Sequence, residues 1–288
     1  MSKVTRYIKR GIQYILHGQP IVNTYAHISV LAPNDLLKGR TALVTGGTSG
    51  IGKSIVEAFL NAGANVVFTS RSQSRATTVA DELQMKYPNS KVMGVAMDNA
   101  DISSLSMTFD VIVKAVKKID ILVNNAGLRG GRWGDFNEEE YDNVMDTNLK
   151  GVFFLSEIVA KYMITNSIQG NILNICSASS LRPANSAYSL SKWGIRAMTA
   201  GMAKTLIKHN IIVNGIAPGP TASPMFGMNS SDDITAKMQP NGRYALTEEI
   251  ANMAVIYVSD MGRSLVGDIA YMTGGAGLIT FDDNTYNF

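Results

Sequence analysis

Seven short apolar runs, alternating with longer stretches patterned for helices, limit what this chain can become. The strand candidates are residues 41–45, 65–70, 91–97, 120–123, 171–176, 211–216 and 269–273. Helical patterns fall at residues 52–62, 103–117, 138–165, 187–209 and 247–259. Strands that are apolar almost throughout, alternating with helices, require a parallel sheet covered on both faces. The expected architecture is therefore α/β, one doubly wound domain over residues 40–288. No linker or internal repeat interrupts it. With 288 residues, 45% hydrophobic and 17% charged, the chain has enough apolar material for that core.

Residues 1–39 stand outside this rhythm. Tyr7, Ile8, Ile12, Ile15 and Leu16 recur at helical spacing, with Arg6, Lys9, Arg10 and Gln13 between them. An irregular stretch follows around Gln19-Pro20 and Ala32-Pro33. The leading reading is an arm whose apolar face packs on the body or on a neighbouring subunit. Peripheral membrane attachment and a targeting peptide are the alternatives. This arm also carries the net charge of +3: without its Lys3, Arg6, Lys9 and Arg10, 22 basic side chains face 23 acidic ones. The near-neutral body argues against a nucleic-acid-binding surface. No run of about 18 apolar residues exists, so no integral membrane segment is expected.

Cys176 is the one cysteine, which suits a reducing compartment and a cytoplasmic location. It falls in a strand candidate and reads as a packing residue. His17, His27 and His209 lack metal-ligand spacing, and no metal chemistry is expected.

Directly after the first strand comes Thr45-Gly46-Gly47-Thr48-Ser49-Gly50-Ile51-Gly52, leading into a helix. Glycines there let the backbone turn sharply and let a pyrophosphate approach the N–H groups of a helix N-terminus. With a strand before and a helix after, the pattern predicts dinucleotide binding on a Rossmann fold, the alternative being an ordinary glycine-rich turn. The end of the second strand then reports on the ribose. Ser70-Arg71 stands there, with Arg71 25 positions beyond Gly46. An arginine fork suits a 2′-phosphate where an acid would repel it, so NADP(H) is preferred, with NAD(H) as the alternative.

Tyr188 and Lys192 are four residues apart, which on a helix places them one turn apart on one face. A free tyrosine ionises near pH 10. A lysine charge about 5 Å away, at an effective dielectric near 20, favours the phenolate by about 3 kcal/mol. Such a phenol can exchange protons with a substrate.

Together these motifs resemble the short-chain dehydrogenase/reductase family in its compact single-domain form, over residues 38–277. The resemblance rests on the glycine motif, on Asn124-Asn125-Ala126-Gly127 after the fourth strand, and on Asn148 in Asp146-Thr147-Asn148-Leu149. It continues through Ser177 after the fifth strand, Tyr188 and Lys192, and Pro218-Gly219 after the sixth. It implies an NADP(H)-dependent oxidoreductase acting on a ketone or secondary alcohol, whether a 3-oxoacyl thioester, a sugar or polyol, or a steroid-like alcohol.

By that resemblance Tyr188 would be the general acid/base, and Lys192 would favour its phenolate and hold the nicotinamide ribose. Ser177 would hydrogen-bond the reacting oxygen, and Asn148 would hold a water joining Lys192 to solvent. The cofactor would lie along Gly46, Thr48, Ser49, Gly50, Ile51, Gly52, Ser70, Arg71, Asp98, Asn99, Asn125, Ala126 and Gly127. Beyond Tyr188 and Lys192 it would meet Pro218, Gly219, Thr221 and Ser223, with Ile216 against the nicotinamide.

Two departures accompany the match. Ser177 precedes Tyr188 by 11 residues, a shorter spacer than usual in the family, with Ser179 and Ser180 as rivals. Ser223 stands where a threonine usually binds the carboxamide. Substrate walls are expected at Leu128-Arg129-Gly130-Gly131-Arg132-Trp133 and in residues 224–242, with Met225, Phe226, Met228 and Met238. The resemblance implies that this segment is a lid; packing against the body is the leading reading of its methionines, with an apolar ligand as the alternative. The family's pairing of long helices implies a homotetramer, with a dimer next. The alternative function is a non-catalytic NADP(H)-binding regulator on the same fold.

Overall fold

The computed structural model describes residues 24–25, 32–131, 133–229, 231–237 and 239–278. The amphipathic segment around Tyr7–Leu16, Arg132 and Met238 lie outside the described residues. Seven parallel strands form one sheet: β1 (Thr41–Val44), β2 (Asn65–Ser70), β3 (Val92–Ala96), β4 (Ile121–Asn124), β5 (Asn171–Ile175), β6 (Ile212–Pro218) and β9 (Ile269–Met272). Their order is β3-β2-β1-β4-β5-β6-β9. The short strands β7 (Thr221–Ala222) and β8 (Ala245–Leu246) pair separately.

Alternation along each strand sends residues to two opposite cores. Ala42, Val44, Ile121 and Val123 face a cluster with Ile55 and Phe59 of α1 (Gly50–Asn61), Val79 of α2 (Gln73–Lys86) and Ile250 of α7 (Thr247–Val258). Leu43, Leu122 and Ile172 face the other side. There they meet Phe109 of α3 (Ile102–Val116), Leu155 of α5 (Gly151–Thr165) and Leu206 of α6 (Ala187–Leu206). Residues 138–165 run as α4 (Glu138–Met145), a π-helical turn (Asp146–Lys150) and α5 in succession.

One helix is absent from the periodic segments of the sequence. In α2 only Ala76, Val79, Ala80 and Leu83 are buried, a narrow stripe of small and aliphatic residues among polar ones. Its Ser72 cap accepts the Arg75 N–H at 3.3 Å, which starts the helix without a strong apolar signal.

The sheet order reverses between β1 and β4, since the chain builds outward to β3 before returning. A crevice opens at the carboxyl ends of strands at such a point. Polar side chains lock the elements around it. The Asn124 amide donates to Asn174 Oδ1 and Ser156 Oγ, both at 2.8 Å, and Asn174 donates to Thr199 Oγ1 at 2.9 Å. These bonds tie β4 and β5 to α5 and α6, so Asn124 serves the scaffold.

Candidate active site

A single cleft of about 600 Å³ runs along the carboxyl ends of the strands, large enough for an extended small molecule. One end begins at the glycine turn, where Gly46 and Gly50 adopt φ of +67° and +55°. A Cβ on Gly47 would lie 2.5 Å from Phe68 Cβ, and one on Gly52 only 2.2 Å from the Gly46 carbonyl oxygen. Those contacts draw α1 hard against the turn. Ser49, at the N-cap of α1, makes no side-chain capping bond, and no acid lies in the first turn. The first N–H groups of α1 are therefore available to an anion, with the helix dipole behind them.

Asn125 braces this turn. Its amide donates to the carbonyls of Thr45 at 2.9 Å and Gly46 at 3.1 Å, while Thr45 Oγ1 accepts the N–H groups of Asn125 and Ala126 at 3.0 Å each. Ser70 and Arg71 line the cleft beside the turn, and Asp98 and Asn99 line it where β3 ends. The Asn99 carboxamide is buried, and neither of its polar atoms has a partner among the described residues. Ala126 and Gly127 line the middle, with Pro218, Gly219, Thr221 and Ser223 on the opposing wall. The glycine cradle, the uncapped helix and the arginines fit a dinucleotide that carries phosphates.

Tyr188, Lys192 and Ser177 occupy the other end. Ser186 and Ser189 form a reciprocal capping box, with the Ser189 N–H on Ser186 Oγ and the Ser186 N–H on Ser189 Oγ, each at 3.1 Å. That box fixes the start of α6 immediately around Tyr188. Lys192 is buried; its ammonium donates to the Ile175 carbonyl at 2.8 Å and lies 5.7 Å from the centre of the Tyr188 ring. Ser177 Oγ accepts the Ser179 N–H at 3.1 Å, which leaves its own O–H free to donate.

The serine rivals separate here. Ser180 is fully buried and donates to the Ser177 carbonyl at 2.7 Å, away from the cleft, while Ser179 reaches the lining. A 3₁₀ turn, Ala178–Leu181, absorbs the short spacer before Tyr188. Arg196, four residues beyond Lys192 on α6, donates to the Ser180 carbonyl at 2.7 Å and holds that turn to the helix.

One expectation needs correction. Ile216 has no exposed surface; it packs with Ile250, Ala251 and Ala254, and so stands in the core beneath the cleft. Its place on β6 turns it toward α7, and Pro218, two residues on, reaches the lining instead. Asn148 is not among the cleft-lining residues, and the water expected at it does not require that place. It sits in the π-helical turn, where its carboxamide binds both backbone groups of Leu128, at 2.7 and 2.9 Å, and donates to Ser191 Oγ at 3.3 Å. The side chain thus orders the strand-end loop and joins it to α6 one residue before Lys192. Thr147 takes the place on the cleft wall.

Cys176 ends just past β5 and touches the cleft. Burial pushes its thiol up to about 11, outweighing the nearby Lys192 charge, so it remains protonated and packs as a small apolar residue.

Arg75 was not legible in the sequence. It lines the cleft with Arg71 from the first turn of α2, the helix that periodicity did not reveal. On the substrate side, Met225 and Phe226 of the 3₁₀ turn Pro224–Phe226 line the cleft, whereas Met228 packs beside Ala222, Ile234 and Leu246. Arg129 donates to the Met225 carbonyl at 3.2 Å, with its guanidinium 4.8 Å from the Phe226 ring centre. The Trp133 N–H donates to the Asn185 carbonyl at 2.8 Å. Thr24 meets the segment that follows: the Ile234 N–H donates to its carbonyl at 3.0 Å, and its own N–H donates to Asp233 Oδ1 at 2.9 Å.

A site of this kind, on this sheet order, defines a nucleotide-dependent oxidoreductase fold, and comparison with known proteins agrees. The family model for short chain dehydrogenase matches residues 40–234. The 3-oxoacyl-[acyl-carrier-protein] reductase FabG of Aquifex aeolicus is 34% identical over 245 residues, covering 83% of this chain and 98% of that protein. The 3alpha-hydroxysteroid dehydrogenase of Mediterraneibacter gnavus is 32% identical, covering 84% and 98%. The crystal structure of a gluconate 5-dehydrogenase from Burkholderia cenocepacia, in complex with NADP and tartrate, superposes with a TM-score of 0.76 at 29% identity, covering 84% of this chain and 97% of that one. The chain belongs to the short-chain dehydrogenase/reductase family, whose members are nicotinamide-dependent oxidoreductases acting between alcohol and carbonyl.

Proposed function

We propose that this protein is an NADP(H)-dependent reductase or dehydrogenase of a ketone/secondary-alcohol pair, with Tyr188 as general acid/base. The observation that carries the reading is one continuous cleft with an uncapped glycine-turn helix at one end and Ser177, Tyr188 and Lys192 at the other. Arg71 and Arg75 support NADP(H), since paired guanidinium groups favour a 2′-phosphate. The bound nicotinamide supplies or accepts a hydride. Ser177 donates to the carbonyl oxygen and fixes it beside the phenol. Tyr188 gives that oxygen a proton during reduction and takes it back during oxidation. Lys192, anchored on the Ile175 carbonyl with its ammonium 5.7 Å from the centre of the Tyr188 ring, would hold the nicotinamide ribose beside the phenol. Asn148 orders the Leu128 loop and Ser191, and a water held at this turn would link Lys192 to solvent.

A carbonyl and alcohol panel with NADPH and NADP⁺ tests this on wild type and Tyr188→Phe. Turnover should fall about 10²–10⁴-fold, the usual share of general acid–base catalysis, with cofactor affinity kept. Equal turnover in the two proteins would remove Tyr188 from the chemistry. A non-catalytic regulator would have no use for a complete proton-transfer set, so we place it second.

Residues 40–288 form the catalytic unit in this reading, and residues 1–39 an arm that reaches the lid at Thr24. No helix among the described residues is long and apolar enough to cross a membrane, and the composition supports a cytoplasmic enzyme. The face shared by α5 and α6 exposes Phe153, Phe154 and Ile164 beside Met198, Gly201 and Met202. That apolar surface supports pairing with a second copy, in a tetramer or else a dimer. Light scattering should give a multimer that Phe153→Glu weakens; a wild-type monomer at micromolar concentration would refute it.

A further inference from the structure

The charges along the cleft are unevenly matched. Its lining holds Arg71, Arg75, Arg129, Arg182 and Lys192 against one acid, Asp98. Arg71, Arg75 and Asp98 belong to the end where β2 and β3 stop, beside the glycine turn. The nucleotide phosphates therefore account for the two arginines there. Arg129, Arg182 and Lys192 belong to the end of Ser177 and Tyr188, where the lining holds no acid. Lys192 is anchored on the Ile175 carbonyl beside the Tyr188 ring and belongs to the proton-transfer set.

The other two remain. Arg129 gives one of its five donors to the Met225 carbonyl and stacks on Phe226, which fixes its direction while leaving further N–H groups open. Arg182 makes no side-chain hydrogen bond or ion pair among the described residues; only its backbone is engaged, its N–H by the Ser179 carbonyl at 3.4 Å and its carbonyl by Trp193 Nε1 at 2.8 Å. The acids nearest Arg129 in the chain, Asp135, Glu138, Glu139 and Glu140, do not line the cleft. The Trp133–Asn185 backbone bond joins the loops that carry Arg129 and Arg182, and both residues line the cleft.

We propose that Arg129 and Arg182 form an oxyanion subsite, and that the substrate carries a carboxylate or phosphate group together with its ketone. This rests on the oxidoreductase reading above and names its substrate class. The balanced reaction is an oxo-acid anion plus NADPH and a proton giving the hydroxy-acid anion plus NADP⁺. A C–H bond forms at the carbonyl carbon, Tyr188 protonates the oxygen, and the anionic group is unchanged. Its contribution is orientation: two planar guanidinium groups hold the anion while Ser177 holds the carbonyl.

The test compares 3-, 4- and 5-oxo acids with their methyl esters, and dihydroxyacetone phosphate with dihydroxyacetone, in NADPH oxidation. Wild type should favour the charged member by tenfold or more in kcat/KM for at least one pair, and whether acids or phosphates show it identifies the anion. The preference should shrink with added salt. Arg182→Gln and Arg129→Gln should each cut the charged-to-neutral ratio about tenfold. A ratio taken within each protein cancels any loss of folded enzyme, and NADPH fluorescence titration shows that the variants still bind cofactor. Neutral members reduced as well as charged ones by wild type would overturn the subsite. A preference indifferent to both substitutions would overturn the assignment to these arginines. No turnover of any of these members by protein that binds NADPH and turns over other compounds of the wider panel would overturn the substrate class, and no turnover across that whole panel would sink the oxidoreductase reading itself.

Discussion

Replacing Gly52 with alanine sets two effects of opposite sign against each other. Gly52 lies in the first turn of α1, where alanine is favoured over glycine by about 1 kcal/mol on helix propensity alone. The new Cβ, however, would stand 2.2 Å from the Gly46 carbonyl oxygen and 2.4 Å from Asn125 Nδ2. A carbon and an oxygen rest at about 3.3 Å or more, so the turn must retreat by roughly 1 Å. Neither neighbour is a free side-chain tip. Asn125 Nδ2 is bonded to the Thr45 and Gly46 carbonyls, and the Thr45 N–H is bonded to Val123. Loss of the two Asn125 bonds costs about 0.5–1.5 kcal/mol each. The net change in stability then lies between about zero and a loss of 2 kcal/mol.

Cofactor affinity is the more decisive readout. The same retreat carries phosphate-facing N–H groups beyond hydrogen-bond distance, so NADPH affinity should fall at least tenfold, or about 1.4 kcal/mol. Gly201→Ala is the comparison within one subunit: no atom of the chain lies within 4 Å of its Cβ position on α6, so in protein diluted to leave the α5–α6 face unpaired, stability should rise by about 0.5–1 kcal/mol. NADPH fluorescence titration and thermal unfolding without cofactor measure both proteins. A Gly52→Ala protein that melts higher and binds NADPH unchanged would refute the steric reasoning.

Arg71→Ala and Arg75→Ala should each weaken NADPH by about 10–150-fold, the range for a charge-assisted hydrogen bond, while NADH changes little; equal effects on both cofactors would refute a 2′-phosphate contact. Arg196→Met releases the Ser180 carbonyl and with it the turn that follows Ser177. The expectation is kcat lowered by about tenfold or more with NADPH affinity kept, and partial recovery in Arg196→Lys. An unchanged kcat would show that the turn holds Ser177 without Arg196.

Much of the architecture was legible because it is encoded locally. Strands buried on both faces announce themselves as apolar runs, and all seven appear within a residue or two of their expected bounds. The glycine turn was equally clear, since its spacing follows from one approach of a strand to a helix. The second helix was not, because Ala76, Val79, Ala80 and Leu83 form too thin a stripe to stand out. Arg75 disappeared from view with it.

The sequence by itself determined the parallel sheet, the glycine turn and the residue types needed for proton transfer, because each depends on neighbours a few positions apart. Only the tertiary structure decided which side chains meet. It turned Ile216 into the core and spent Asn148 on Leu128. It also brought Arg75 beside Arg71 in the cleft lining and placed Arg196 beneath the Ser177 turn. Those outcomes follow from strand register, from which face of the sheet a residue takes, and from loops that cross between elements. No spacing along the chain records them.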